Sequence, residues 1–170
     1  MELFISSDLR ENKLSFALQL YAKYVRADSR NIVKLIPITR SSQAVLKIFS
    51  LPMLVKSGSN EGEELHTANP FSMMSAIAKA AYLEEVLVGK PNSIERSEIL
   101  SFVEMAHKAS AEELISHLNT HLEMRMFVVG HSITAADITL LAFLVEHFSK
   151  LSDYEKLAIP HVFRWIDHVQ

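Results

Sequence analysis

The sequence predicts an α+β chain in two lobes, a small mixed lobe followed by an all-helical one. Two observations carry this reading. Over residues 1–68, β-rich runs alternate with helical spacing, and beyond residue 68 the spacing is helical throughout. A chain of 170 residues, 49% hydrophobic and 22% charged, can bury a real core and has an ordinary globular composition.

The first lobe reads β-α-β-α-β-β. Residues 2–6 form a strand, and residues 12–25 switch to helical spacing, with Leu14, Ala17, Leu18, Tyr21 and Val25 on one face. Ile32–Ile38 is β-rich and carries Pro37 near its end. Residues 41–49 suit a short helix. Met53–Val55 and Glu64–His66 flank Ser-Gly-Ser-Asn-Glu-Gly, a turn-rich link between two strands of a hairpin.

Asn69-Pro70 starts the helical lobe, because Asn caps well and Pro loses no needed N–H at the first helical position. Gly89 is the expected stop of that helix. Asn92 with Glu95, Ser110 with Glu113, and Ser152 with Glu155 have capping-box spacing. The last helix begins near Pro160 and puts Val162, Trp165, Ile166 and Val169 on one face. The domains are therefore drawn as 1–68 and 69–170, with the helix from Asn69 allowed to extend the first to about residue 88.

The run Leu118–Leu141 is the most informative stretch. Thr134 can cap the helix that follows while Asp137 reaches back to the Thr134 N–H, and Ile133 and Ile138 can form a hydrophobic staple. The helix so started, Ile138–Phe148, is nearly all apolar and belongs at the centre of the helical lobe. Together with the lobe order, this segment resembles the C-terminal domain of the glutathione transferase superfamily. There a Gly, a short loop, a Ser or Thr cap and an Asp precede the core helix. Leu51-Pro52-Met53-Leu54 is similar to the family's loop with a cis proline, at Pro52, before the third strand. The resemblance covers nearly the whole chain. It implies a two-lobe glutathione-transferase-like fold, with a thioredoxin-like N-terminal lobe and an all-α C-terminal lobe.

Within the superfamily, the variants attached to translation proteins fit best. Leu118–Leu141 is similar to segments of elongation factor 1B gamma and of the appended domains of glutamyl- and methionyl-tRNA synthetases. His161–Gln170, with Arg164-Trp165, is similar to their last helix. The chain also resembles the glutathione-transferase-like domain of tRNA-binding scaffold proteins, the parasite tRNA import protein among them. That resemblance implies a non-catalytic docking domain that pairs with itself or with aminoacyl-tRNA synthetases bearing similar domains. It implies tRNA binding only through a separate domain of a longer polypeptide. It also implies that Arg164 lies at a protein contact, flanked by His161, Asp167 and His168 on the exposed side of the helix. The alternatives are an active glutathione transferase and an elongation factor 1B gamma-like subunit.

The chemistry of a transferase is mostly missing. Active members place a Tyr, Ser or Cys at the start of the first helix to favour the thiolate of glutathione. Here the loop reads Ser6-Ser7-Asp8-Leu9-Arg10-Glu11-Asn12-Lys13, and aligning Asn12-Lys13 with the family's pattern puts Arg10 where the hydroxyl belongs. Ser6 and Ser7 are the remaining hydroxyls. The family's acidic-Ser pair after the fourth strand is replaced by His66-Thr67 or Ala68-Asn69, where Thr67 alone could hold a peptide ligand. No catalytic residue, cofactor or metal is therefore expected. His117 and His121 have the spacing of a zinc pair but no Glu between them, and they read as surface histidines. Met73-Met74 reads as core filling.

Net charge is −3, which excludes a bulk nucleic-acid binder. The charge is uneven: residues 1–56 carry nine Lys or Arg against four Asp or Glu, and the remainder eight against sixteen. An association surface would use that asymmetry, although a solvated surface explains it equally and more simply. There is no cysteine, so disulfides, thiolate metal sites and a cysteine nucleophile are excluded. No stretch approaches the ~20 apolar residues that cross a bilayer. With no signal-peptide pattern at the start, the cytoplasm is the expected compartment. The parasite resemblance would add membrane association of the longer protein, without insertion of this domain.

Overall fold

A computed structural model of the chain describes residues 1–8, 12–27, 32–39, 52–57, 64–67 and 69–169. The chain divides into two compact units, Met1–Glu84 and Glu85–Gln170. The expected short helix at 41–49 and the hairpin link at 58–63 lie outside the described residues.

The first unit is built on a four-stranded sheet: β1 (Glu2–Ser6), β2 (Lys34–Ile38), β3 (Met53–Ser57) and β4 (Glu64–Thr67), in the order β2-β1-β3-β4. β2 runs parallel to β1, with Leu3 opposite Leu35 and Ile5 opposite Pro37. β3 runs antiparallel to both β1 and β4. Pro37 sits on an end strand of this sheet, where its missing N–H breaks no interior ladder. Leu3 and Ile5 alternate inward from β1 with Leu54 from β3. Pro52 is buried just ahead of β3.

Two helices complete this unit, α1 (Lys13–Tyr24) and α2 (Pro70–Ala80), which pack on each other. Asn12 Oδ1 caps α1 by accepting from Ser15 N at 2.9 Å. Asn69 caps α2 in the same way, through Ser72 N at 2.9 Å with Pro70 next in line. Met73 and Met74 are fully buried.

Both helices end without glycine. After α1, Arg26 takes φ +53°, with Ala27 N bonded to Ala22 O and Arg26 N to Lys23 O. After α2, Tyr82 takes φ +59°, with Leu83 N bonded to Ala78 O and Tyr82 N to Lys79 O. This is the Schellman pattern, which closes off the last carbonyls of a helix. The expected stop at Gly89 is thereby corrected: α2 ends at Ala80. Once Tyr82 is left-handed the helical ladder cannot continue, and only a four-residue turn, α3 (Glu84–Leu87), precedes Gly89.

The second unit is helical: α4 (Ile94–Lys108), α5 (Ala111–His121), α6 (Ala135–Ser149), α7 (Asp153–Leu157) and α8 (Pro160–Val169). Ser110–Glu113 and Ser152–Glu155 form reciprocal capping boxes, with side-chain arms of 2.9 and 2.8 Å from the two carboxylates. At α4 the expected cap is off by one residue. Ser93, not Asn92, accepts from Arg96 N at 3.1 Å, and Asn92 takes φ +62° in the turn before it. Asn tolerates that left-handed position better than Ser, so the hydroxyl caps and the amide turns. Gly89, at φ +82°, passes so close to Arg96 that a Cβ would lie 2.9 Å from the Arg96 backbone nitrogen.

α6 is the central helix of this unit. Ala135–Leu140, Ala142, Leu144 and Phe148 are buried, and α4, α5 and α8 pack around it. Among the described residues, no helix is long and apolar enough to cross a membrane.

Candidate docking surface

The second unit is organised around one carboxylate. Asp137 is fully buried at the start of α6, and four donors converge on it. Its Oδ2 accepts from Thr134 N at 2.9 Å and from Thr134 Oγ1 at 2.8 Å. Its Oδ1 accepts from Val128 N at 2.9 Å and from the indole Nε1 of Trp165 at 2.9 Å. These bonds use essentially the whole acceptor capacity of a carboxylate. Local capping therefore accounts for half of what Asp137 does. The other half ties the 128 region and α8 to α6 across 9 and 28 residues of sequence.

Two further groups fix α8, and sequence spacing flagged neither bond. Asn119, on α5, reaches the first turn of α8 and accepts from His161 N at 3.1 Å and Val162 N at 3.4 Å. It serves as an N-cap supplied by another helix. Arg164 extends back toward the end of α5 and donates from Nη2 to Leu122 O at 2.6 Å and Arg125 O at 3.0 Å. A cation there complements the carbonyl end of α5. The local alternative, an Arg164–Asp167 pair on the helix surface, is not the arrangement formed. Asp167 and His168 are exposed, and His161 is partly so. The His168 ring lies 5.2 Å from that of Phe127.

With α8 held this way, its remaining face and α7 present apolar side chains to solvent. Leu157 is 78% exposed and Phe163 47%, and Tyr154 is exposed beside them. The Phe163 ring stacks on Phe148 at 6.0 Å, and Lys156 Nζ lies 5.9 Å above the Phe148 ring. Asp153, Lys156, Leu157, Pro160 and Phe163 line a cavity of about 420 Å³. Ser152 and Glu155 keep the short α7 in place. Their hydrogen bonds, the side-chain one first, hold the Glu155 carboxyl below its ordinary range.

The transferase position is occupied by structural bonds. Ser6 Oγ accepts from Asp8 N at 3.2 Å, and Ser6 N donates to Ser15 Oγ at 3.0 Å, with Ser15 fully buried. Ser7 N donates to Ile38 O. Arg10 and Glu11 lie outside the described residues, as does Ala68, while Asn12 and Asn69 serve as helix caps. His117 and His121 stack at 6.2 Å, with Phe102 beside both. His121 Nε2 lies 2.7 Å from Val128 O and 3.0 Å from Arg125 Nη1. Among the described residues no group of three or more His, Cys, Asp or Glu could hold a metal ion.

Residues 98–170 match the family described as "Nuclear-export cofactor Arc1p". The chain is similar to eukaryotic translation elongation factor 1 epsilon-1 of Mus musculus, 28% identical over 150 residues, covering 76% of this chain and 86% of that protein. The Cricetulus griseus protein of the same name is 35% identical over 63 residues, 37% of this chain and 36% of that one. In structure the chain is similar to the GST-like domain of elongation factor 1-gamma from Saccharomyces cerevisiae. That match has a TM-score of 0.72 at 13% identity and covers 99% and 87% of the two chains. It is also similar to apo URE2P6 from Phanerochaete chrysosporium (TM-score 0.73, 12% identity, 99% and 88% covered). The sheet order, the helical unit and the structural likenesses show a glutathione-transferase-like fold, and the chain's sequence relatives include translation elongation factor 1 epsilon-1.

Proposed function

We propose that this domain is a non-catalytic docking module of a translation scaffold in the cytoplasm. It joins aminoacyl-tRNA synthetases that carry similar domains, or a second copy of itself, and leaves tRNA to a separate domain. The observation that supports this reading best is the exposed apolar face of α7 and α8. Tyr154, Leu157 and Phe163 are large apolar side chains exposed on these two helices. A cluster of exposed aromatic and aliphatic side chains beside a groove is the usual form of a protein contact. Arg164, His161, Asp167 and His168 form the polar side of the same helix and act as its rim. Arg164 also sets the placement of α8 through the α5 carbonyls.

The test is association measured by analytical ultracentrifugation and by pull-down with glutathione-transferase-like domains of synthetases. Leu157→Arg removes an exposed apolar anchor without touching the core and should abolish assembly at unchanged thermal stability. Arg164→Glu should weaken it as well. Assembly that survives both substitutions intact rejects the face. The competing reading, a working transferase, is favoured by the fold of neighbours such as glutathione transferase E6 from Drosophila melanogaster (TM-score 0.70, 11% identity). Retention on a glutathione column, with turnover of an electrophile lost in Ser6→Ala or Ser7→Ala, would support it over the docking module.

A further inference from the structure

Between α5 and α6 the chain carries Met124-Arg125-Met126 on a stretch that is pinned at several points. Arg164 holds Leu122 O and Arg125 O, Asp137 holds Val128 N, and His121 holds Val128 O. At Gly130, φ +67°, a Cβ would meet the Glu95 carboxylate at 2.6 Å, so the chain passes closely over α4 there. The two methionines nevertheless point outward. Met124 is 92% exposed and Met126 48%, whereas Met73 and Met74 are completely buried. Met124, Met126 and His131 line one cavity of about 490 Å³, together with Glu98. Among the described residues, no hydrogen bond, ion pair or ring contact engages His131. Arg125 also borders the cavity, and its guanidinium sits 3.0 Å from His121 Nε2.

We propose that Met124, Met126 and His131 form a binding site for a soft monovalent metal ion of the Cu(I) or Ag(I) class. Two thioether sulfurs and one imidazole nitrogen are neutral, polarisable donors, which suit a d¹⁰ monovalent ion and disfavour hard divalent ions. Three such donors satisfy the low coordination number that these ions accept. Glu98 and Arg125 lie on the same lining, so the fixed charges beside the ion offset each other. Met124 and Met126, two residues apart on a backbone held at Leu122, Arg125 and Val128, line the same cavity. Because the chain has no cysteine, no thiolate competes for such an ion.

The experiment is titration of the whole protein with Ag(I), followed by calorimetry and by the methionine methyl signals in NMR. Cu(I) under a competing chelator serves as the second probe, and Zn(II) as the control. One equivalent of Ag(I) should bind and shift the Met124 and Met126 methyl signals, with no matching response to Zn(II). The double substitution Met124→Leu and Met126→Leu keeps size and apolarity, and it should weaken Ag(I) binding by about tenfold or more, as should His131→Ala. All three positions are at the surface, and circular dichroism confirms that each variant is folded. Absence of a one-equivalent site overturns the proposal. So does Ag(I) binding that persists undiminished in the double variant, or shifts confined to other methionines.

Discussion

The two units reach stability by different routes. In the first, the described core is a backbone ladder with apolar side chains alternating inward, and its buried polar side-chain groups, Ser15 and the Tyr21 hydroxyl, link no distant helices. In the second, Thr134, Asp137 and Thr139 are buried together, and one carboxylate joins a helix start, a loop and the last helix. A sheet spreads its hydrogen bonds over many equivalent groups. A set of short helices has no ladder between elements, so side chains must supply the links. The second unit should therefore fail at single residues where the first would only weaken.

The largest effect expected from that contrast is at Asp137. Asp137→Ala leaves the Trp165 indole N–H and the Val128 and Thr134 amides without their acceptor, and should cost about 3–5 kcal/mol. Ser15→Ala in the first unit removes the acceptor of one amide, Ser6 N, and should cost about 1–2 kcal/mol. Urea denaturation of the two variants compares them directly. Equal losses would show that the second unit is no more centralised than the first.

Arg164 comes next. Arg164→Met keeps the aliphatic stem and removes two bonds to partly exposed carbonyls, so about 1 kcal/mol should be lost. The same variant separates the two roles of this residue. If Arg164 only fixes α8, stability falls and assembly at the α7–α8 face persists in proportion to folded protein. If it also touches a partner, assembly falls further than stability does.

A smaller effect, of opposite sign, is available in the first unit. Tyr82 is 96% exposed and holds a left-handed conformation that an L side chain resists. Tyr82→Gly loses little packing and should stabilise by about 0.5–1 kcal/mol. A lower denaturation midpoint would mean that the Tyr82 ring makes a contact worth more than its backbone strain.

The smallest effects concern pH. His107 packs edge-on to Phe143 at 4.9 Å, and burial lowers its pKa below the ordinary histidine value. Its unfolded form therefore binds a proton more readily, so stability should fall as pH drops from the unfolded value through the folded one. His107→Gln should flatten that slope. Glu155 acts further into acid. Its pKa is lowered by bonds to Ser152, so its contribution is complete above the unfolded carboxylate value and lost as pH falls through the folded one. Ser152→Ala should remove the second component and leave the first.

What the sequence by itself determined was local. The strand at 2–6, the helix starts at Asn69, Ser110, Thr134 and Ser152, and the buried face of the last helix are all set by neighbours within about a turn. Such bonds span three or four residues, so their spacing is written in the chain. Even here one-residue choices escaped, as when Ser93 capped α4 in place of Asn92 and Tyr82 ended α2 without a glycine. Tertiary structure decided the rest. Trp165 reaches Asp137 across 28 residues, Asn119 caps α8 across 42, and Arg164 finds carbonyls 39 and 42 residues away instead of Asp167 three residues along. No periodicity encodes those pairings, because they exist only once α5, α6 and α8 are packed. The same packing decides which apolar side chains are left over. Val162 and Trp165 go inward, while Leu157 stays at the surface and Phe163 is half-exposed against Phe148.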